Sequence, residues 1–236
     1  MVWSLNAMVI CLVALLLVFL IMQVPDVPQR LRADSINPGA FAIDSKPYNL
    51  TYGDWTVKFW QWLLSIPADS NPIADETGER CGENQSNLPV FFLAFSTGGG
   101  AIRECDVPAG KAILVPVNVV ECSFKELPGA KTEEELHTCA REDESSSPTF
   151  FLSVNGREFR NLEKYRVHSE AFDLIWANNS IIQQSGPDRA VSDGYWIILE
   201  PLPVGEHQIR FQASLSDPRT GILTYSDNLE YNINVK

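Results

Sequence analysis

Basic side chains are scarce. Eighteen Lys and Arg stand against thirty Asp and Glu in 236 residues, a formal net charge of −12. That balance repels a phosphate backbone, which argues against nucleic acid as a partner. It also argues against attachment to anionic lipid through a basic patch. Histidine is rarer still: His137, His168 and His207 lie far apart and offer no histidine metal cluster. No Gly-x-Ser-x-Gly elbow presents a serine nucleophile. Gly98-Gly99-Gly100 has no Lys-Ser/Thr after it and reads as a turn, not a phosphate loop. No internal repeat is visible. What is present is ordinary for a folded protein, 45% apolar and 20% charged, and the length suits one core.

Charge is missing altogether from residues 1–24, and 7–22 (AMVICLVALLLVFLIM) is apolar throughout. A helix needs about 20 mainly apolar residues to cross a bilayer, and a buried core helix would carry a polar stripe. The segment is therefore expected to be a transmembrane signal-anchor. A cleaved signal peptide is less well supported, because no Lys or Arg precedes the run and no small-x-small site follows it directly. Ala40-Phe41-Ala42 is the nearest candidate and lies well downstream. Residues 25–47, rich in Pro, Asp, Ser and Arg, read as a linker, and 48–236 as an extracytoplasmic domain.

Arg30 and Arg32 would hold their flank in the cytoplasm by the positive-inside rule. Cysteines and sequons oppose them. Cys11 sits in the apolar run and reads as a small apolar residue. Cys81, Cys105, Cys122 and Cys139 form an even set in the soluble part. They lack any Cys-x-x-Cys pair, so disulfides are a better reading than zinc. Three N-x-S/T triplets, at Asn49, Asn84 and Asn178, are candidate glycosylation sites. Together they place the domain outside a single-pass cell membrane protein.

Along the soluble part, Trp55, Phe59, Trp62, Leu63 and Ile66 share one helical face, with Asp54 as the expected cap. Thr132 and Glu135 form a capping box for a second helix over 132–141. Alternating or wholly apolar runs predict strands at 89–95, 101–107, 112–120, 149–154, 157–160, 165–168, 171–177, 195–200, 208–215 and 229–235. Asn155-Gly156 between two of them predicts a type I′ hairpin. The fold expected is mainly β: an antiparallel β-sandwich with two short helices, preceded by the one N-terminal transmembrane helix. Sequential disulfides, Cys81–Cys105 and Cys122–Cys139, are expected. A hairpin of 89–95 with 101–107 across the glycine turn would return Cys105 beside Cys81, and the second helix would fold Cys139 back onto Cys122.

Several segments are recognisable together: Tyr52-Gly53-Asp54-Trp55 with Phe59-Trp60-Gln61-Trp62, Asn71-Pro72 with Asp75, Gly78 and Cys81, and Cys105-Asp106-Val107-Pro108-Ala109-Gly110-Lys111-Ala112. Asn118-Val119-Val120-Glu121-Cys122-Ser123 and 201–207 (PLPVGEH) extend the pattern. The chain from about Tyr52 onward resembles a family of uncharacterised exported, membrane-anchored proteins of ammonia-oxidising archaea and some bacteria. That pattern tends to have Glu where this chain has Asp54, and Trp where it has Phe59; both exchanges are conservative. The resemblance implies export and the fold, and brings no activity with it.

The candidate binding residues are Trp60, Gln61, Asp75, Arg103, Lys111 and Glu121. Indoles stack on sugar rings and Gln61 would read a ligand on an exposed helix, although an aromatic helix stripe is more often core packing. The loop around Asp69, Asn71, Asp75, Glu76 and Glu79 offers oxygens to Ca²⁺, but the EF-hand pattern fails at Ile73, and no cofactor is expected. Asp75 and Glu121, with Arg103 or Lys111 holding an anion, would make a hydrolase if the carboxylates faced each other. The reading favoured is a membrane-tethered domain that binds or scaffolds a cell-surface protein or glycan without catalysis. The alternative is a secreted hydrolase acting on glycans. A cleft with two facing carboxylates would decide for the enzyme.

Overall fold

The structure, a computed structural model, describes residues 37, 39–85, 87–144, 149–216, 220 and 222–236. The expected membrane span, Cys11, Arg30 and Arg32 lie outside them. Among the described residues no helix is long and apolar enough to cross a membrane. The compact unit starts at Asn37, inside the stretch expected to be linker. Ala40 bridges Leu199, the Phe41 N–H donates to the Ile198 carbonyl, and the Tyr52 hydroxyl donates to the Phe41 carbonyl. Residues 39–47 are thus fastened to the domain.

The chain is mainly β. Helix α1 (Tyr52–Leu64) is closed by a capping box in which Thr51 is the N-cap and Asp54 the third helical residue. Asp54 was the expected cap; it instead accepts from the Thr51 N–H while Thr51 Oγ1 accepts from the Asp54 N–H. Helix α2 (Glu133–Glu144) starts at the expected box, Thr132 with Glu135.

Among the described residues, ten strands form two five-stranded sheets. One runs β1 (Val90–Phe92), β3 (Ala112–Ser123), β8 (Gly186–Leu199), β6 (Arg166–His168), with β7 (Phe172–Trp176) also on β8. The other runs β2 (Ala101–Val107), β10 (Leu223–Val235), β9 (Gly205–Ser216), β4 (Thr149–Val154), β5 (Arg157–Glu158). The β4–β5 turn carries the expected positive φ at Asn155 and Gly156, 51° and 73°.

Both sheets are mixed, not antiparallel, because β1 pairs with β3 and β2 with β10 in parallel. The expected hairpin of β1 with β2 does not form. Strand β1 is buried on both faces, Phe91 in one apolar cluster and Phe92 in another. Strand β2 buries Arg103, Cys105 and Val107 and exposes Ile102, Glu104 and Asp106. A strand covered on both sides belongs in a sheet with elements on both faces; one open on one side belongs in an outer layer. The Gly98–Gly100 segment therefore carries the chain from one sheet to the other.

That division sets the core. Trp55, Phe59 and Leu63 of α1 pack on Phe92, Leu114, Trp196 and Ile198 of the first sheet. On its other face, Phe91, Val115 and Ile197 cluster with Leu152, Phe211, Tyr231 and Ile233 of the second sheet. Full burial of each such side chain is worth about 1.5–3 kcal/mol. Helix α2 adds Leu136 and Ala140 against Cys122 and Val191. Both expected disulfides are present, Cys81–Cys105 with Cα atoms 5.9 Å apart and Cys122–Cys139 at 6.3 Å. The first forms without the hairpin. The Glu104 N–H donates to the Thr77 carbonyl at 2.8 Å, which lays the 75–81 loop against the edge of β2. Gly78, at φ 91°, makes this approach possible, since a Cβ there would lie 2.2 Å from the Glu104 carbonyl oxygen.

Candidate binding cleft

A cleft of about 460 Å³ has walls from β3, from β9 and β10, and from the chain leaving β1. A register irregularity in β3 shapes it. Pro116 pairs with Trp196, but Asn118 pairs with Tyr195, so Val117 is an extra residue. Val117 belongs to the cluster between the sheets, and Asn118 lies opposite Tyr195 of the same cluster. The bulge thus turns two successive side chains to one side, which a regular strand cannot do. Across the ladder, Gly194 has φ 151°, and a Cβ there would come within 2.6 Å of the Asn118 carbonyl oxygen. The bulge needs that glycine.

Phe95, Val117, Val119, Val120 and Leu215 supply apolar walls, and Ser96, Asn118, Tyr225 and Asp227 supply polar groups. Asp227 is only 4% exposed. Its two oxygens accept from the Ser96 N–H at 2.9 Å and the Ser96 hydroxyl at 2.6 Å. Among the described residues it has no ion-pair partner. The Tyr225 hydroxyl donates to the Ser96 carbonyl at 3.2 Å. Burial raises the Tyr225 pKa, and the Asp227 carboxylate raises it further through its charge and a side-chain hydrogen bond.

The six expected binding residues do not line this cleft. Trp60 is buried and donates from its indole to Ser192 Oγ at 2.8 Å. Its ring meets Phe95 at 5.7 Å, so it backs a cleft residue from the other side of the sheet. Gln61 is exposed and donates to the Asp173 carbonyl. Arg103 is 1% exposed and donates to the carbonyls of Ala94 and Ile73 and to the Tyr231 hydroxyl. Asp75 accepts from Thr77 N–H and Oγ1–H and from Arg80 N–H. Burial works against its ionisation, but these donors outweigh it and hold its pKa below the ordinary value. Arg103 and Asp75 share a neighbour, Tyr231, whose hydroxyl feels both charges. Lys111 is half-buried at the turn before β3, its N–H donating to Pro108.

Glu121 lies elsewhere, on the far half of β3. Its Oε1 is buried with no hydrogen-bond partner. Desolvation, then the adjacent Glu126, push its pKa well above the usual carboxylate value, with Asp188 adding to the effect. The Asp75 carboxylate is set among loop donors and Glu121 among other acids, and neither lines the cleft. No group of three or more His, Cys, Asp or Glu is placed to hold a metal ion among the described residues. In the acidic loop, Asn71 is spent on the Leu63 and Ile66 carbonyls and the Ile73 N–H.

The cleft residues Ser96, Asn118, Tyr225 and Asp227 were not singled out by sequence, yet two carry a signal. Asn118 interrupts an apolar run (AILVPVNVV), and Asp227 occupies an inward position in step with Leu229, Tyr231 and Ile233. A polar residue on a buried parity is the mark of a polar group kept for a reason. Comparison with known protein families, with curated proteins and with solved structures gives no match to this chain.

Proposed function

We propose that the chain is a membrane-tethered, extracytoplasmic β-sandwich that binds a small ligand in the cleft between its sheets and does not catalyse its conversion. The observation that carries this reading is the content of the cleft: apolar walls and one buried carboxylate, with no second carboxylate facing it among the described residues. A glycosidase needs two such groups about 5–10 Å apart. Pockets of a few hundred Å³ with apolar walls and a few convergent polar groups are the usual form of a small-molecule site.

The outer location is supported by both disulfides, and the candidate glycosylation residues Asn49, Asn84 and Asn178 are exposed. Kinship with the exported family of ammonia-oxidising archaea agrees with this placement and belongs to the same proposal. The sandwich geometry is supported by the apolar cluster that residues of both sheets share.

Titration of the full-length protein in nanodiscs with an apolar fluorescent reporter tests the site. Saturable binding that Leu215→Trp removes is expected, because an indole at that position fills the cleft. Binding that survives the substitution, or no saturable binding at all, overturns the reading.

A further inference from the structure

We infer that the cleft takes a small organic monocation, an apolar body carrying one ammonium group, with Asp227 as its counter-ion. This rests on the cleft being the binding site. A carboxylate removed from water without a cation is costly, and buried carboxylates are normally paired. Asp227 is 4% exposed, lines an apolar cleft and has no ion-pair partner among the described residues. Its structural partners are all neutral: it accepts the Ser96 N–H and hydroxyl and is hydrogen-bonded to the Tyr225 side chain. None of these donors is a cation, so the fold supplies hydrogen bonds to the carboxylate and, among the described residues, no opposite charge. Three hydrogen bonds leave about one of the carboxylate's four acceptor sites for a further donor.

The walls select the rest of the molecule. Val117, Val119 and Leu215 offer no donor to an anion, and the chain carries a net charge of −12. An anionic or phosphate-bearing ligand would meet repulsion from the whole molecule and from Asp227 directly. A free amine with a compact hydrocarbon body meets attraction at one end and apolar contact at the other. In a site of low dielectric, that single charge pair dominates selectivity.

Three isosteric probes test this on the full-length protein in nanodiscs by isothermal calorimetry: 3-phenylpropylammonium, 3-phenylpropanol and 3-phenylpropanoate. The ammonium is expected to bind at least about tenfold more tightly than the alcohol, with the carboxylate weakest. Asp227→Asn is expected to erase the preference for the ammonium and leave alcohol binding in place, and Leu215→Trp to remove both. Equal affinity for ammonium and alcohol in the unaltered protein overturns the charge assignment while leaving the cleft as a binding site. The same outcome does not depend on whether Asp227→Asn folds. Binding of none of the three overturns both the assignment and the site on which it rests.

Discussion

The indole N–H of Trp60 donates to the hydroxyl of Ser192 at 2.8 Å, 132 residues away in sequence. Trp60 is 4% exposed, and its ring meets Trp196 and Phe95 edge-on. This contact ties α1 to β8, so the aromatic face of the helix is packed into the sheet, leaving no indole surface of Trp60 for a sugar. Trp60→Phe keeps most of the packing and leaves Ser192 Oγ without its donor. It is expected to lower stability by about 1–2 kcal/mol, and Trp60→Ala by about 3–5 kcal/mol, in urea unfolding. A Trp60→Phe variant as stable as the unaltered protein would show that the hydrogen bond adds nothing.

Arg103 is expected to be among the costliest single positions. Its guanidinium satisfies carbonyls of Ala94 and Ile73 and the Tyr231 hydroxyl inside the core. Arg103→Met removes these donors together and should cost about 3–5 kcal/mol by chemical denaturation. Arg103→Lys should recover only part of this, because an ammonium lacks the planar fork that reaches several acceptors.

Glu121 makes stability depend on pH. Its pKa is raised in the folded state by burial and by Glu126, from an ordinary value of 4.5. The native protein therefore keeps a proton that the unfolded chain has released. Stability is fully present below the ordinary value and is lost as pH rises through the raised one. Glu121→Gln removes that loss. Thermal unfolding is expected to show no gain at pH 4 and a Tm higher by roughly 2–4 °C or more at pH 8, the response to about 1 kcal/mol in a chain of this size. A gain of equal size at both pH values would rule out titration of Glu121 as its source.

Peptide mapping without reductant, on protein taken from native membranes, is expected to give Cys81–Cys105 and Cys122–Cys139 and no cross-paired peptide. Replacing either pair with Ala should cost roughly 3 kcal/mol in the loop-entropy account, given separations of 24 and 17 residues.

Protease added to intact cells should degrade the domain, since the proposal places it outside the membrane. Full protection would place it on the cytoplasmic side.

Local information alone determined much of this protein. The approximate places of the strands, the helix faces, the Asn155-Gly156 turn and the Thr132 capping box follow from side-chain period, φ preference and capping chemistry within a few residues of each site, although β8 and β10 begin at Gly186 and Leu223, well before the expected 195 and 229. The even cysteine set and its sequential pairing were also legible, although the hairpin offered as the reason was not the cause. What tertiary structure decided was which strands share a sheet. Strands β1 and β2 are near neighbours in sequence, yet their burial on two faces and on one assigns them to different layers, and each sheet becomes mixed. The candidate site depended on the same step. Trp60 and Arg103 have the chemistry of ligand readers but are consumed by contacts 132 and 128 residues distant. Asp227 meets Ser96 across 131 residues, and the bulge at Val117 turns Asn118 to the same side. No window of sequence contains those distances, because long-range burial decides whether a polar group is spent on the fold or left facing a cleft.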